Sequence, residues 1–494
     1  MIRVWAAITA AVVAVGCTAF PVAHPVRVEH LQLEGVPNTK VEDAFVRYRF
    51  SAKGGVLASA YLHFATLRDR EADAVPGWEN GDEFIDGASR PFELWVDGPA
   101  TADAPYEATM VEETAERAVI ELAGEGEGWS ALKRFTVDHD ALYSIGVQLE
   151  VRAPDSEVQL VLGHLDRGLD LLYMYDGQVD SSPQPAGAYV RFEGLGLVGN
   201  GQVFFLRLDR PAEAQPFKEV NDAGQLVFGL KWEEAPEELV LSGTLYAGRD
   251  RYLLLEKAGL EKLSPVGLFS RLLVVVMRFL GWLYELTGNY VWAILLFTLL
   301  TRVLLYPVMR TQLRSMAKMQ QLQPKIKKLQ ERYKDDRTTM QQQMMELYRK
   351  EKVNPLGGCL PMLLQLPLLI LLWQAIIYSS EQIRLSPGFL WITDLSGPDP
   401  YYILVIVTTG LMMLQQWLTQ RRAAAAPTGG MQAMGWLFPL IMAILLFRWP
   451  AGLWMYWLFT TLFQVGQQWV VDREIAAEKG RDSAPEDDGE DEGD

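Results

Sequence analysis

Residues 291–307, VWAILLFTLLTRVLLYP, decide how the chain is read. The run is apolar except for two threonines and Arg302. With its neighbours, from 289 to 309, it is long enough to cross a bilayer as a helix, for which about 20 residues suffice. A guanidinium inside such a helix costs roughly 2.5–3.5 kcal/mol on insertion scales. Arg302 stands about seven residues from the end of the run, roughly 10 Å deep at a helical rise of about 1.5 Å. It either snorkels to the interface or faces a wet cavity inside a helix bundle. Arg310 and Arg314 already supply interfacial charge, which favours the cavity. The rest of the chain must say what that cavity serves.

The chain has 494 residues, enough for more than one domain. Residues 21–262 hold 22 Lys+Arg against 42 Asp+Glu, a net of −20, whereas residues 263–471 carry most of the long apolar runs. An acidic soluble part is therefore fused to a membrane part, and its charge argues against nucleic acid as its ligand. The two cysteines, Cys17 and Cys359, lie in unrelated contexts and give no disulfide framework.

Residues 1–23 are apolar behind Arg3 and read as an uncleaved anchor helix or as a signal peptide. Ala14-Val15-Gly16-Cys17 resembles a lipoprotein cleavage box, in which Cys17 is lipidated; the usual leucine three before the cysteine is alanine here. Under each reading the β-rich part is exported. Residues 24–262 read as a large β-sandwich domain. Strand-like runs at 45–50, 142–151, 158–162, 189–192, 203–208 and 239–246 alternate with turn signals at 53–55, 194–201 and 222–224. A short helix over 250–259 closes the domain. His30, His63, His139 and His164 are scattered through it without metal-binding spacing.

Residues 263–287 carry Arg271 and Arg278 two helical turns apart, with Trp282 and Tyr284. They read as an amphipathic helix lying in the membrane interface. Residues 310–352 hold 12 Lys+Arg and 5 Asp+Glu, a net of +7. Such a loop stays in the cytoplasm, so the 289–309 span runs from outside to inside. Its apolar residues, from Met316 to Leu347, recur at spacings of three and four, broken at Lys334–Arg337, and predict an antiparallel helical hairpin. Further spans are expected at 357–379, 401–420, 433–447 and 452–471. Alternation places 381–400 outside with a net charge of −2 and 421–432 inside with +2. Gln365, Gln374, Gln415, Gln416, Gln464, Gln467 and Gln468 are embedded, to bond between helices or to line a wet space. The tail, 472–494, has 3 basic and 11 acidic residues and reads as disordered.

The order of these parts resembles the YidC membrane protein insertases. The resemblance is carried by Gly288-Asn289, Thr301-Arg302 with Tyr306-Pro307, SMAKMQQLQPKI at 315–326 and EKVNPLGGCLPMLLQLP at 351–367. LWITDLSGPDPYYIL at 390–404, WPAGLWMYW at 449–457 and, at the close of the β-rich part, TLYAGRDRYLLLEKAGLEKL at 244–263 extend it. The resemblance implies a bacterial inner-membrane protein with a five-helix core (residues 288–471), a periplasmic β domain and a cytoplasmic hairpin. It implies a hydrophilic groove, open to cytoplasm and lipid, that inserts nascent membrane proteins alone or with the Sec translocon. By the same resemblance Arg302 is the groove charge and Thr298 lines the groove. Tyr456 contacts substrate, and Gln365, Leu366 and Leu369 lie on the substrate slide. The lipoprotein-like start and the acidic tail depart from the family pattern.

No nucleotide motif is present, and the reading requires neither enzyme chemistry, a cofactor nor a small-molecule substrate. Ribosomal RNA is a polyanion, so an electrostatic ribosome dock must be basic. That points to Lys325, Lys327 and Lys328 in the hairpin, with Arg421 and Arg422, and away from the tail. Two other classes are weighed: a solute transporter, which internal repeats would support, and a tethered carbohydrate enzyme, which paired carboxylates in a cleft would support.

Overall fold

The structure, a computed structural model, describes residues 26–482 except 44, 63–81, 86–89, 165–168, 183–190, 200, 211–213, 221–225, 265–266, 335, 352–359 and 423–428. The expectations for residues 1–23, including Cys17, and for the end of the tail lie outside the described residues. The chain divides into two compact units, with the boundary between Arg271 and Leu272.

The first unit is β-rich. Among the described residues, 18 strands form three antiparallel sheets of five, nine and four strands. The largest sheet has β9 (Trp129–Asp138), β10 (Ser144–Arg152) and β18 (Leu239–Arg249) near its centre. In β9 burial alternates along WSALKRFTVD, so Trp129, Ala131, Lys133, Phe135 and Val137 point into the core. The Phe135 ring lies 4.8 Å from Phe50, on β3 (Val46–Ser51), and 5.3 Å from Phe92, which brings side chains of different sheets into one core. A short helix, α1 (Tyr252–Lys257), follows β18.

One sequence expectation fails here. Residues 194–201, read as a turn, mostly form β14 (Phe192–Gly199), paired with β15 (Gln202–Leu208). The glycines serve close approach: a Cβ on Gly196 would collide with the Phe204 carbonyl oxygen.

The alternation of β9 also places a lysine in the core. The Lys133 ammonium donates to the carbonyls of Gly54 (2.9 Å), Gly55 (3.0 Å) and Phe92 (2.7 Å), and sits 4.3 Å from the centre of the Tyr106 ring. Its three protons match three acceptors, tying the turn after β3 and the start of β6 (Glu93–Val96) to β9. Burial pulls this lysine down to about 7, with Glu93 opposing and Arg90 reinforcing the shift. An unfolded lysine keeps its proton to about 10.4. Between those values the unfolded chain binds more protons, so the domain gains stability as pH rises through that window. Lys133→Met is expected to lose about 3 kcal/mol at neutral pH, because three buried carbonyls lose their donor, and to flatten the pH dependence. Hydrogen exchange of the β9 amides in the full chain measures both. Unchanged protection in the variant would contradict the assignment.

The second unit is helical. Helix α2 (Leu268–Thr287) buries Leu273, Val274, Met277, Leu280 and Leu283, while Arg271 and Arg278 are both exposed. Gly288, at φ +68°, ends it in the left-handed conformation that favours glycine. Asn289 then caps α3 (Tyr290–Leu304) by accepting from the Val291 amide at 2.8 Å. Its amide nitrogen donates to Pro387 O at 3.1 Å. Stop and start signals in consecutive residues turn the chain through 120°.

The apolar run at 291–307 is not one helix. It breaks at Leu305, and α4 (Tyr306–Arg332) carries Pro307 in its first turn, where a missing N–H costs nothing. Helix α4 pairs with α5 (Arg337–Lys350) through Leu322 and Ile326 against Met344, Leu347 and Tyr348. Asp336 starts α5 by accepting from the Thr338 and Thr339 amides at 3.1 and 3.0 Å. Lys325, at 2.6 Å, holds the Glu351 carboxyl below its usual range.

The other described helices of the unit are α6 (Leu360–Tyr378), α7 (Ser380–Leu385), α8 (Ile403–Arg422), α9 (Gly429–Leu446) and α10 (Ala451–Asp482). Among the described residues no single helix is long and apolar enough to cross a membrane; the bent pair α2–α3 passes that test together. Large apolar side chains face outward, among them Val303 (65 % exposed), Ile406 (68 %) and Ile444 (71 %), as a lipid-facing surface requires. The expected disordered tail begins as helix. Helix α10 continues 11 residues past Val471, to Asp482, and Glu474 within that extension pairs with Arg310. Composition predicted disorder because this tertiary partner is far away in sequence.

Candidate functional site

Arg302 lies in the last turn of α3 and is 6 % exposed. Its Nη2 donates to Gln365 Oε1 of α6 at 3.2 Å, and Gln365 Nε2 in turn donates to the Tyr456 hydroxyl of α10. Gln467 Nε2, also on α10, reaches the Arg302 carbonyl at 3.4 Å. Three helices thus meet at one guanidinium through uncharged groups. Among the described residues Arg302 has no carboxylate partner. A permanent cation held only by dipoles keeps its attraction for an incoming anion.

Arg302 opens onto a cavity of about 680 Å³. One part of its lining is polar: Gln365, Gln415, Gln416, Thr461 and Gln464. The other is apolar, with Leu366, Leu369 and Ile370 of α6 facing Phe438 and Met442 of α9. Trp373 and Trp449 stack at 5.0 Å in the wall. No acidic side chain lines the cavity among the described residues. Such a space can solvate a polar segment and hold an anionic group while greasy surface runs alongside. Among the described residues its lining holds no Cys, His, Asp or Glu.

At the far end of α3, the 386–402 segment is tied down by buried carboxylates. Asp399, fully buried, accepts from the Trp391 indole (2.9 Å) and from the amides of Tyr401 (3.1 Å) and Leu404 (2.5 Å). The amides of Ala451 and Gly452, at the start of α10, donate to Gly397 O (2.6 Å) and Leu395 O (2.8 Å). The start of α10 therefore closes onto this segment through its own orphan donors.

Of the residues singled out in the sequence, Arg302, Gln365, Leu366 and Leu369 line the cavity. Thr298 does not; it is fully buried one turn earlier, and its hydroxyl donates to Ile294 O at 2.6 Å. Tyr456 is also buried and reaches the site through Gln365. Lys325 and Lys328 are exposed on α4, whereas the side chains of Lys327, Arg421 and Arg422 lie outside the described residues. Gln415, Gln416 and Gln464 join the lining; their signal was polarity inside apolar helices. The two stacked tryptophans carried none, because an apolar helix position looks alike whether it meets a neighbour or a cavity.

The family model described as "60Kd inner membrane protein" matches residues 282–479. The membrane protein insertase YidC of Francisella philomiragia is 30% identical over 479 residues, covering 88% of this chain and 84% of that protein. That of Neisseria gonorrhoeae is 43% identical over 203 residues, covering 41% of this chain and 36% of its own length. Among solved structures, one described as an active YidC insertase with the first transmembrane domain resolved covers 94% of this chain and 98% of its own, with a TM-score of 0.55 at 23% identity. That likeness concerns the fold alone, a β-rich domain with a helical region.

Proposed function

The chain belongs to the YidC family of membrane protein insertases, and we propose that it inserts nascent inner-membrane proteins through the cavity at Arg302. The carrying observation is a buried guanidinium, paired only with neutral groups, at the edge of a half-polar, half-apolar cavity. In this reading the unit forms a five-helix core whose groove opens to cytoplasm and lipid. A polar client segment enters the groove, which shortens its path across about 30 Å of hydrocarbon. Carboxylates on that segment pair transiently with Arg302. The client's apolar helix slides along Leu366, Leu369 and Ile370 into lipid, driven by about 25 cal/mol per Å² of apolar area removed from water. The buried Asp394–Asp399 segment closes the periplasmic end. The helical hairpin projects into the cytoplasm toward the ribosome, and the protein works alone or beside the Sec translocon.

Reconstitution tests this directly. The full chain in lipid vesicles is expected to insert a single-span client without nucleotide, and empty vesicles are not. A chain lacking residues 34–249 is expected to keep most of that activity, because the cavity is built wholly from the helical unit. Loss of insertion by a shortened chain that still reaches the membrane would assign the β domain a direct part.

A further inference from the structure

Arg310 and Arg314, in the first turns of α4, follow Arg302 by eight and twelve residues. Residues 302, 306, 310 and 314 are spaced by four, and i→i−4 hydrogen bonds continue on both sides of the break at Leu305. The Leu305 amide bonds Thr301 O at 2.9 Å, and the Met309 amide bonds Leu305 O at 3.0 Å. Helix α10 runs beside these residues. Gln467 meets the Arg302 carbonyl, and seven residues on, Glu474 meets Arg310. Glu474 Oε2 accepts from Arg310 Nε at 2.9 Å and Nη2 at 2.8 Å, with Arg314 Nη2 at 3.6 Å from the same oxygen. Arg310 stands about 12 Å from Arg302 along the axis, at about 1.5 Å per residue. Met309, beside it, lines the cavity.

We propose that Arg310 and Arg314 form an outer carboxylate-binding station at the mouth of the cavity, and that Glu474 occupies it in the resting chain as an internal stand-in for an acidic client segment. The inference rests on the insertase reading. An arriving aspartate- or glutamate-bearing segment exchanges with Glu474 at Arg310 and Arg314 before passing inward to Arg302. The exchange is carboxylate for carboxylate, so charge balance is kept. The contacts are partly exposed, which keeps them weak enough to yield. Neutral segments gain nothing at this station.

A photo-crosslinking residue at Thr311, exposed beside Arg310, reads occupancy in the full chain in vesicles. Two single-span clients are compared, one with three aspartates in its translocated segment and one with asparagines there. Glu474→Gln is expected to raise the crosslink to the acidic client about two- to five-fold, the range of one exposed ion pair, and to leave the asparagine client unchanged. Arg310→Gln with Arg314→Gln is expected to reduce the acidic client to the asparagine level. A measurement on the unaltered chain guards against misfolding: excess acidic client should lower hydrogen-exchange protection around Glu474, and asparagine client should not. An unchanged or reduced acidic crosslink in Glu474→Gln, or protection insensitive to the acidic client, overturns the station. The insertase reading fails separately, by absent insertion with both clients in the unaltered chain.

Discussion

Arg302→Ala is expected to slow insertion of clients with acidic translocated segments by about 10- to 100-fold, which corresponds to about 1.4–2.8 kcal/mol of lost pairing. Clients without acidic residues should fall by less than about three-fold. The difference arises because alanine removes the deep cation of the cavity but not its wetness. Gln365 keeps its bond to Tyr456, and the glutamine and threonine lining remains. Arg302→Lys should retain part of the acidic-client activity. Its ammonium keeps the charge but is a point donor without the guanidinium's planar fork, so contact with Gln365 and a client carboxylate together is harder. Insertion rates in vesicles, with circular dichroism to confirm folding, give the comparison. Equal loss for acidic and neutral clients would count against direct charge pairing.

Reversing Lys325, Lys327 and Lys328 to glutamate should weaken co-sedimentation with ribosomes by about 10- to 100-fold at physiological salt. Each phosphate contact removed also lowers the salt slope by about one. The reversal leaves the Leu322–Ile326 contact with α5 in place, so the hairpin itself should persist. At position 325 it also sets a carboxylate against Glu351 in place of an ammonium at 2.6 Å. A Glu351→Gln background removes that local penalty and isolates the effect on the ribosome. Truncation after Lys479 keeps Glu474 and removes much of the acidic charge; binding should stay level or rise slightly. Raised salt should mimic the lysine reversal. Topology mapping must find the reversed hairpin still cytoplasmic. If the truncation alone abolishes binding, a specific contact of the tail outweighs electrostatics.

Signals confined to a few neighbouring residues determined much of this molecule from the sequence alone. Gly288-Asn289 stops one helix through the Gly288 backbone and caps the next through the Asn289 side chain, all within neighbouring residues. The hairpin's turn follows from Asp336 capping its own second arm, and β3, β10, β15 and β18 follow from strand-like runs between turn signals. Arg302 stood out because one charge in an apolar run has a cost that needs no partner to be seen. The tertiary structure decided the rest, because each remaining feature is a meeting of residues far apart in the chain. Gly196 reads as a turn until β15 is found a Cβ's width away. Lys133 carries no local signal for burial, because the carbonyls that surround it belong to residues 54, 55 and 92. Thr298 and Leu369 both belong to apolar helices, and only the tertiary arrangement of α6, α9 and α10 leaves open space beside one of them. Glu474 reads as part of a disordered acidic tail until Arg310, 164 residues earlier, holds its carboxylate. Composition records how much charge a segment carries; which charge it meets is fixed only when the helices are side by side.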